Sequence, residues 1–211
     1  QLDVYGELLD AVFEGQRFAG EIQPERWAFL TRVANLVAQR WREPGGGIWE
    51  TREGRKHHVH SKVMAWTALD RAVRLARQGG FPGELVRWEA ERDAVREEIL
   101  LRGFHPGRGA FTQAYDSEVL DAAVLQIPLL GFLPAQDPRM VATIDVLKRE
   151  LSSPEGFLWR NEMHGAKGSE GTFVACTFWM VENLALLGRL SEARELYERT
   201  CACAHDLGLF A

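Results

Sequence analysis

Cysteine is scarce: the 211 residues hold three, Cys176, Cys201 and Cys203, with no Cys-x-x-Cys pair among them. An odd set without that spacing argues against a disulfide framework and against a structural zinc site, and predicts a reducing compartment, the cytoplasm. Basic charge is not in excess either. Against 30 Asp and Glu stand 25 Lys and Arg, giving a net charge of -5 and an isoelectric point near 5.7, so there is no electrostatic footprint for nucleic acid. No run of 18 apolar residues is present to span a bilayer as a helix. Strand pairs are not legible, and no signal peptide is visible. What is present is a 46% hydrophobic content, enough to bury one substantial core.

The apolar residues fall at helical spacing. Leu2, Tyr5, Leu9, Val12 and Phe13 form one stripe; Pro24 opens a second helix carrying Trp27, Leu30, Val33, Val37 and Trp41. Ser61 is expected to cap a third, largely buried helix that Gly79 and Gly80 stop. A fourth covers residues 84–102, with its charges on a solvated face, and a fifth 117–130, disturbed by Pro128. Asp137 and Pro138 start a sixth, residues 172–187 are the most apolar, and Ser191 is expected to cap the eighth. Trp66, Trp88 and Trp179 read as core, and Cys176 as a small buried hydrophobe.

The connections alternate between short ones and three long, glycine-rich ones at 42–60, 103–116 and 152–171. Each long one contains a similar phrase: GGGIWE at 45–50, GRGAFTQ at 107–113 and PEGFLWR at 154–160, with GLFA at 208–211 opening a fourth. Phrases 47 to 62 residues apart indicate helical hairpins stacked as a solenoid or closed into a toroid, and they deliver Glu50, Gln113 and Arg160.

Glu50 beside Trp49 suits a general acid, because an apolar neighbour keeps a carboxyl protonated near neutral pH, while one solvated carboxylate among many is the plain alternative. Arg160 offers a planar fork for a hydroxyl or carboxylate, or is an ordinary surface residue. His57, His58 and His60 have no Cys or carboxylate at a ligand spacing, so no metal and no other cofactor is expected.

The blocks QLDVYGELLDA (1–11), WREPGGGIWE (41–50), HSKVMAWTALDRAVRLA (60–76), LLGFLPAQDPR (129–139), EGTFVACTFWMVENLALLGRL (170–190) and AHDLGLFA (204–211) resemble the bacterial form of glycoside hydrolase family 15, the inverting glucoamylases and trehalases. The resemblance implies an all-α (α/α)6 toroid, here a partial ring of about eight helices, with residues 1–211 part of a single catalytic domain truncated at both ends. It implies Glu50 as general acid, Trp49 lining the sugar subsite, Arg160 on the non-reducing glucose, and His60, Lys62 and Glu170 as further substrate contacts. Thr51 stands where some members carry a second acidic residue, and Asn161 where Tyr is frequent. The family's general base follows a phrase like GLFA, so this stretch alone is expected to be inactive and, with apolar flanks uncovered, to self-associate. The implied substrate is an oligosaccharide or disaccharide, cleaved at a terminal α-glucosidic bond as in glucoamylase, with trehalose hydrolysis as the alternative; a non-catalytic helical-repeat binding module is the rival from another class.

Overall fold

Helix α1 (Asp3–Ala19) lays its inner stripe on α3 (Val59–Gly79), and the crossing is close because position 6 has no side chain. The computed structural model describes residues 1–50, 54–162 and 171–210, and divides the chain into two compact units, 1–102 and 103–211.

In the first unit α3 is the central element, packed by α1 on one side and by α4 (Leu85–Arg102) on another, with α2 (Pro24–Arg40) also against it. Its alanines 65, 68, 72 and 76, all buried, let the neighbouring helices approach. The helix ends as glycine predicts: Gly80 is left-handed at φ 64°, and the amide of Phe81 returns to the carbonyl of Ala76 at 2.9 Å. Phe81 then stacks on Trp27 with ring centroids 4.9 Å apart, and Trp27 Nε1 donates to the Pro82 carbonyl at 2.8 Å. The buried indole of Trp88 donates to Asn35 Oδ1 at 2.7 Å, tying α4 to α2.

The second unit holds a two-residue antiparallel pair, β1 (Phe104–His105) and β2 (Ala110–Phe111), with Phe104 opposite Phe111. A 3-10 turn at Ala122–Leu125 runs into the short α5 (Gln126–Leu129), followed by α6 (Pro138–Glu150), α7 (Val174–Leu186) and α8 (Leu190–Cys201). Buried threonines fix the returning strands of two loops. Thr143 Oγ1 of α6 accepts from the amide of Phe111, and Thr177 Oγ1 of α7 from that of Leu158, both at 3.0 Å.

The described residues contain eight helices, as expected, and the class is all-α. Several details differ from expectation. The third helix starts two residues before Ser61, at Val59, with extended His58 before it and no side-chain cap; Ser61 is buried inside the first turns. Arg189, without a capping bond, precedes α8, and Ser191 lies within that helix. The fifth helix is reduced to residues 122–129 because Asp121, in extended backbone, caps a tight turn by accepting from Ala123 N at 2.8 Å. The strand pair at 104–111 was not legible. Trp179 is half-buried rather than core, whereas Trp66 and Trp88 are buried. Asp137 does cap α6, accepting from Arg139 N at 2.9 Å.

Candidate active site

The loop between α2 and α3 walls a cavity of about 510 Å³ in the first unit, within the roughly 300–1,000 Å³ usual for small-ligand sites. Its shape comes from the three glycines. Gly45 pairs with Lys56 through two backbone bonds of 2.9 Å, which folds the loop back on itself. Gly47 is left-handed at φ 71°, and a Cβ there would lie 2.9 Å from the ring of His58. Glu50 closes the turn by donating its amide to the Gly47 carbonyl at 3.2 Å, and is itself left-handed at φ 47°, a conformation that non-glycine residues rarely hold without cause.

Glu50 is exposed and lines the cavity. Gln1 Nε2 donates to Glu50 Oε1 at 2.5 Å and to the Gly47 carbonyl at 3.4 Å, so the carboxyl is held at the rim. Tyr5 of α1, and Arg40 and Glu43 at the end of α2, share that lining. Arg40 grips Glu43 with Nη2 at 2.8 Å, and this bond holds the Glu43 carboxyl below its ordinary range. Lys62 also lines the cavity, but its side chain is 1% exposed: Nζ donates to the carbonyl of Trp41 and, at 3.0 Å, to that of Glu43. Burial lowers its pKa to about 8.

The expected site residues are therefore only partly brought together. Glu50 and Lys62 meet at one cavity. Trp49 is half-buried and is not among the residues lining it. His60 is buried in the first turn of α3. Arg160 belongs to the second unit: its carbonyl accepts from Ala122 N at 2.8 Å, and its guanidinium lies 5.7 Å from the centroid of Phe173. There Gln113 is buried and donates through Nε2 to Asp121 Oδ2 at 3.0 Å. Glu170 lies outside the described residues. Among the described residues no group of three His, Cys, Asp or Glu side chains is arranged to hold a metal. Tyr5 and Arg40 were missed, since nothing local marks a residue that another helix brings to the cavity, and His58 was weighed only as a metal ligand.

The four phrase glycines all have positive φ. Gly47, Gly109, Gly156 and Gly208 have φ of 71°, 64°, 88° and 77°. Before three of them a polar side chain closes the turn: His105 Nδ1 accepts from Arg108 N, Ser153 Oγ from Phe157 N, and His205 Nδ1 from Leu207 N. The family model of glycosyl hydrolases family 15 matches residues 1–204.

The chain belongs to glycosyl hydrolases family 15.

Within the family it is similar to trehalases. It is 36% identical to the trehalase of Thermoplasma volcanium over 213 residues and 37% identical to that of Mycobacterium tuberculosis over 215. Each match takes in 100% of this chain but 34% and 31% of the relative, so the chain spans about a third of the length of these enzymes. Solved glycosidases share the fold. One superposes with a TM-score of 0.84 at 19% identity over 99% of this chain and 55% of the other, and another, in complex with glucose, with 0.82 over 99% and 54%. The all-α (α/α)6 class expected from the resemblance is the family's.

Proposed function

We propose that the whole protein is an inverting glycosidase acting on a terminal α-glucosidic bond, and that the bond is that of trehalose. The observation that carries the first part is Glu50, in left-handed backbone and held by Gln1 at the rim of a cavity of small-ligand size. Its carboxyl gives a proton to the leaving oxygen as the glycosidic C–O bond breaks. A second carboxyl, which the resemblance puts directly after the GLFA phrase, takes a proton from the water that attacks the opposite face; inversion needs roughly 6.5–9.5 Å between the two.

Trehalose is favoured over a maltooligosaccharide by the six relatives, all of them named trehalase. Glucoamylase-like cleavage, the reading the resemblance first suggested, uses the same acid and differs only in the aglycone. The 211 residues form part of one (α/α)6 catalytic domain, in which Trp49, Arg160, His60 and Glu170 contact the sugar. Three free cysteines suit a reducing compartment, the cytoplasm. Exposed Phe18, Val86 and Leu101 in the first unit and Leu207 in the second make the isolated stretch self-associate, which light scattering reads as species heavier than 23.8 kDa. The test of function is glucose release by the whole protein: trehalose is expected to be cleaved at least tenfold faster than maltotriose, and the reverse order restores the glucoamylase reading.

A further inference from the structure

The buried lysine that lines the Glu50 cavity has its ammonium turned to backbone carbonyls. We propose that Lys62 is a positioning residue for the general acid: its ammonium fixes the opening of the loop that ends in Glu50, and does not touch substrate. The inference rests on the reading of Glu50 as that acid.

Three features carry it. First, Lys62 engages the carbonyl of Trp41, the C-cap of α2, and that of Glu43, two residues into the loop; a helix's last carbonyls have no intrahelical donor and favour a cation. A lysine has three N–H donors and no acceptor, which suits a point where two backbone carbonyls converge. Secondly, the anchor is rigid. The Trp41 ring is 1% exposed, its Nε1 donates to Glu91 Oε2 at 2.7 Å, and the Lys62 ammonium lies 5.7 Å from its centroid. Thirdly, the path from anchor to acid is short and has little slack: Glu43 leads to the Gly45–Lys56 pair, to Gly47 against His58, and to the Glu50–Gly47 bond. A shift at residues 41–43 is passed on to the carboxyl. The charged groups facing the ammonium are Arg42 and Glu43 of the loop and Glu98 and Arg102 of α4, two of each sign, so no single ion pair explains its placement.

The chemistry separates positioning of the acid from general damage. Cleaving trehalose needs the Glu50 proton on the departing oxygen. Cleaving α-glucosyl fluoride does not, since fluoride leaves with the C–F electron pair unprotonated while water adds to the anomeric carbon. In the whole protein, Lys62→Met is expected to lower kcat on trehalose by about tenfold to a hundredfold, the scale of a small misplacement, with KM within about twofold and fluoride turnover within about threefold of wild type. A raised KM with unchanged kcat would make Lys62 a substrate contact, and an equal fall on both substrates would make it merely structural; either overturns the proposal. Glu50→Gln, run alongside, is expected to show the same split more deeply, and if it keeps full trehalose turnover the acid reading itself fails. Should Lys62→Met not fold, a crystal structure of the wild-type protein with 1-deoxynojirimycin decides the matter. Nζ on the two carbonyls and more than about 4 Å from every inhibitor atom supports positioning, and Nζ in hydrogen-bond contact with an inhibitor hydroxyl overturns it.

Discussion

Gly6 of α1 lies directly against the backbone of Met64 in α3, so closely that a Cβ at position 6 would stand 2.8 Å from both the carbonyl carbon and the Cβ of Met64. The obstacle is backbone in the middle of a buried helix and has no room to give. Gly6→Ala is expected to destabilise the fold by about 1–3 kcal/mol, as overpacking does. Gly15, on the same helix, has nothing within 4 Å of its would-be Cβ. Gly15→Ala is expected to stabilise by about 0.5–1 kcal/mol through helix propensity alone. Thermal unfolding of the two variants should move in opposite directions; parallel shifts would mean that α1 does not cross α3 at position 6.

Lys62 gives stability a signed pH dependence. Its pKa is lowered by burial from 10.5 to about 8, so the unfolded chain keeps this proton up to about pH 10.5 while the folded one gives it up from about pH 8. Between those values the unfolded state binds more protons and stability rises with pH. The penalty for the buried charge is fully present below pH 8 and is relieved above it, by up to about 2 kcal/mol once the water of the adjoining cavity is allowed for. The difference in unfolding free energy between wild type and Lys62→Met, measured at pH 7 and pH 10, should shift by that amount in favour of wild type. A pH-independent difference would place the ammonium in water.

Gly47→Ala is expected to lower glucose release roughly tenfold. The left-handed backbone costs a non-glycine residue about 1–2 kcal/mol, and the added methyl would press on the His58 ring. Both push apart the turn that holds Glu50. Gly54→Ala is the comparison, since φ 90° is strained there too but none of the described residues stands within 4 Å. Equal activities in the two variants would separate the turn from catalysis.

Thiol labelling tests the interior of the second unit. Cys176 is fully buried in α7, and burial pushes its thiol well above the ordinary value, while Cys203 is exposed. A thiol-exchange reagent should modify Cys203 in the native protein and reach Cys176 only on unfolding. Native labelling of Cys176 would mean that α7 is not packed as described.

Much of this was legible in the sequence, and for definite reasons. The glycine phrases announced themselves because a positive φ favours glycine wherever it is needed, and Gly47, Gly109, Gly156 and Gly208 all have one. Asp137–Pro138 was readable because a cap and a first-turn proline act within three residues. What escaped depends on partners distant in the chain. Phe104 pairs with Phe111 while Thr143, more than 30 residues on, holds the return. Lys62 looks like any helical lysine until Trp41 and Glu43 are brought to it. Ser61 and Ser191 have the right chemistry for caps, yet both helices begin earlier, where His58 and Arg189 take the preceding position without a capping bond.

The measurement that bears most directly on the central claim is proton NMR of the glucose released from trehalose by the whole protein and by its Glu50→Gln variant. Inversion with Glu50 as acid predicts equal initial amounts of β-glucose, from the attacked ring, and α-glucose, from the leaving one, with the variant slower by about 10²–10⁴. Release of α-glucose alone, or undiminished turnover by Glu50→Gln, would contradict it.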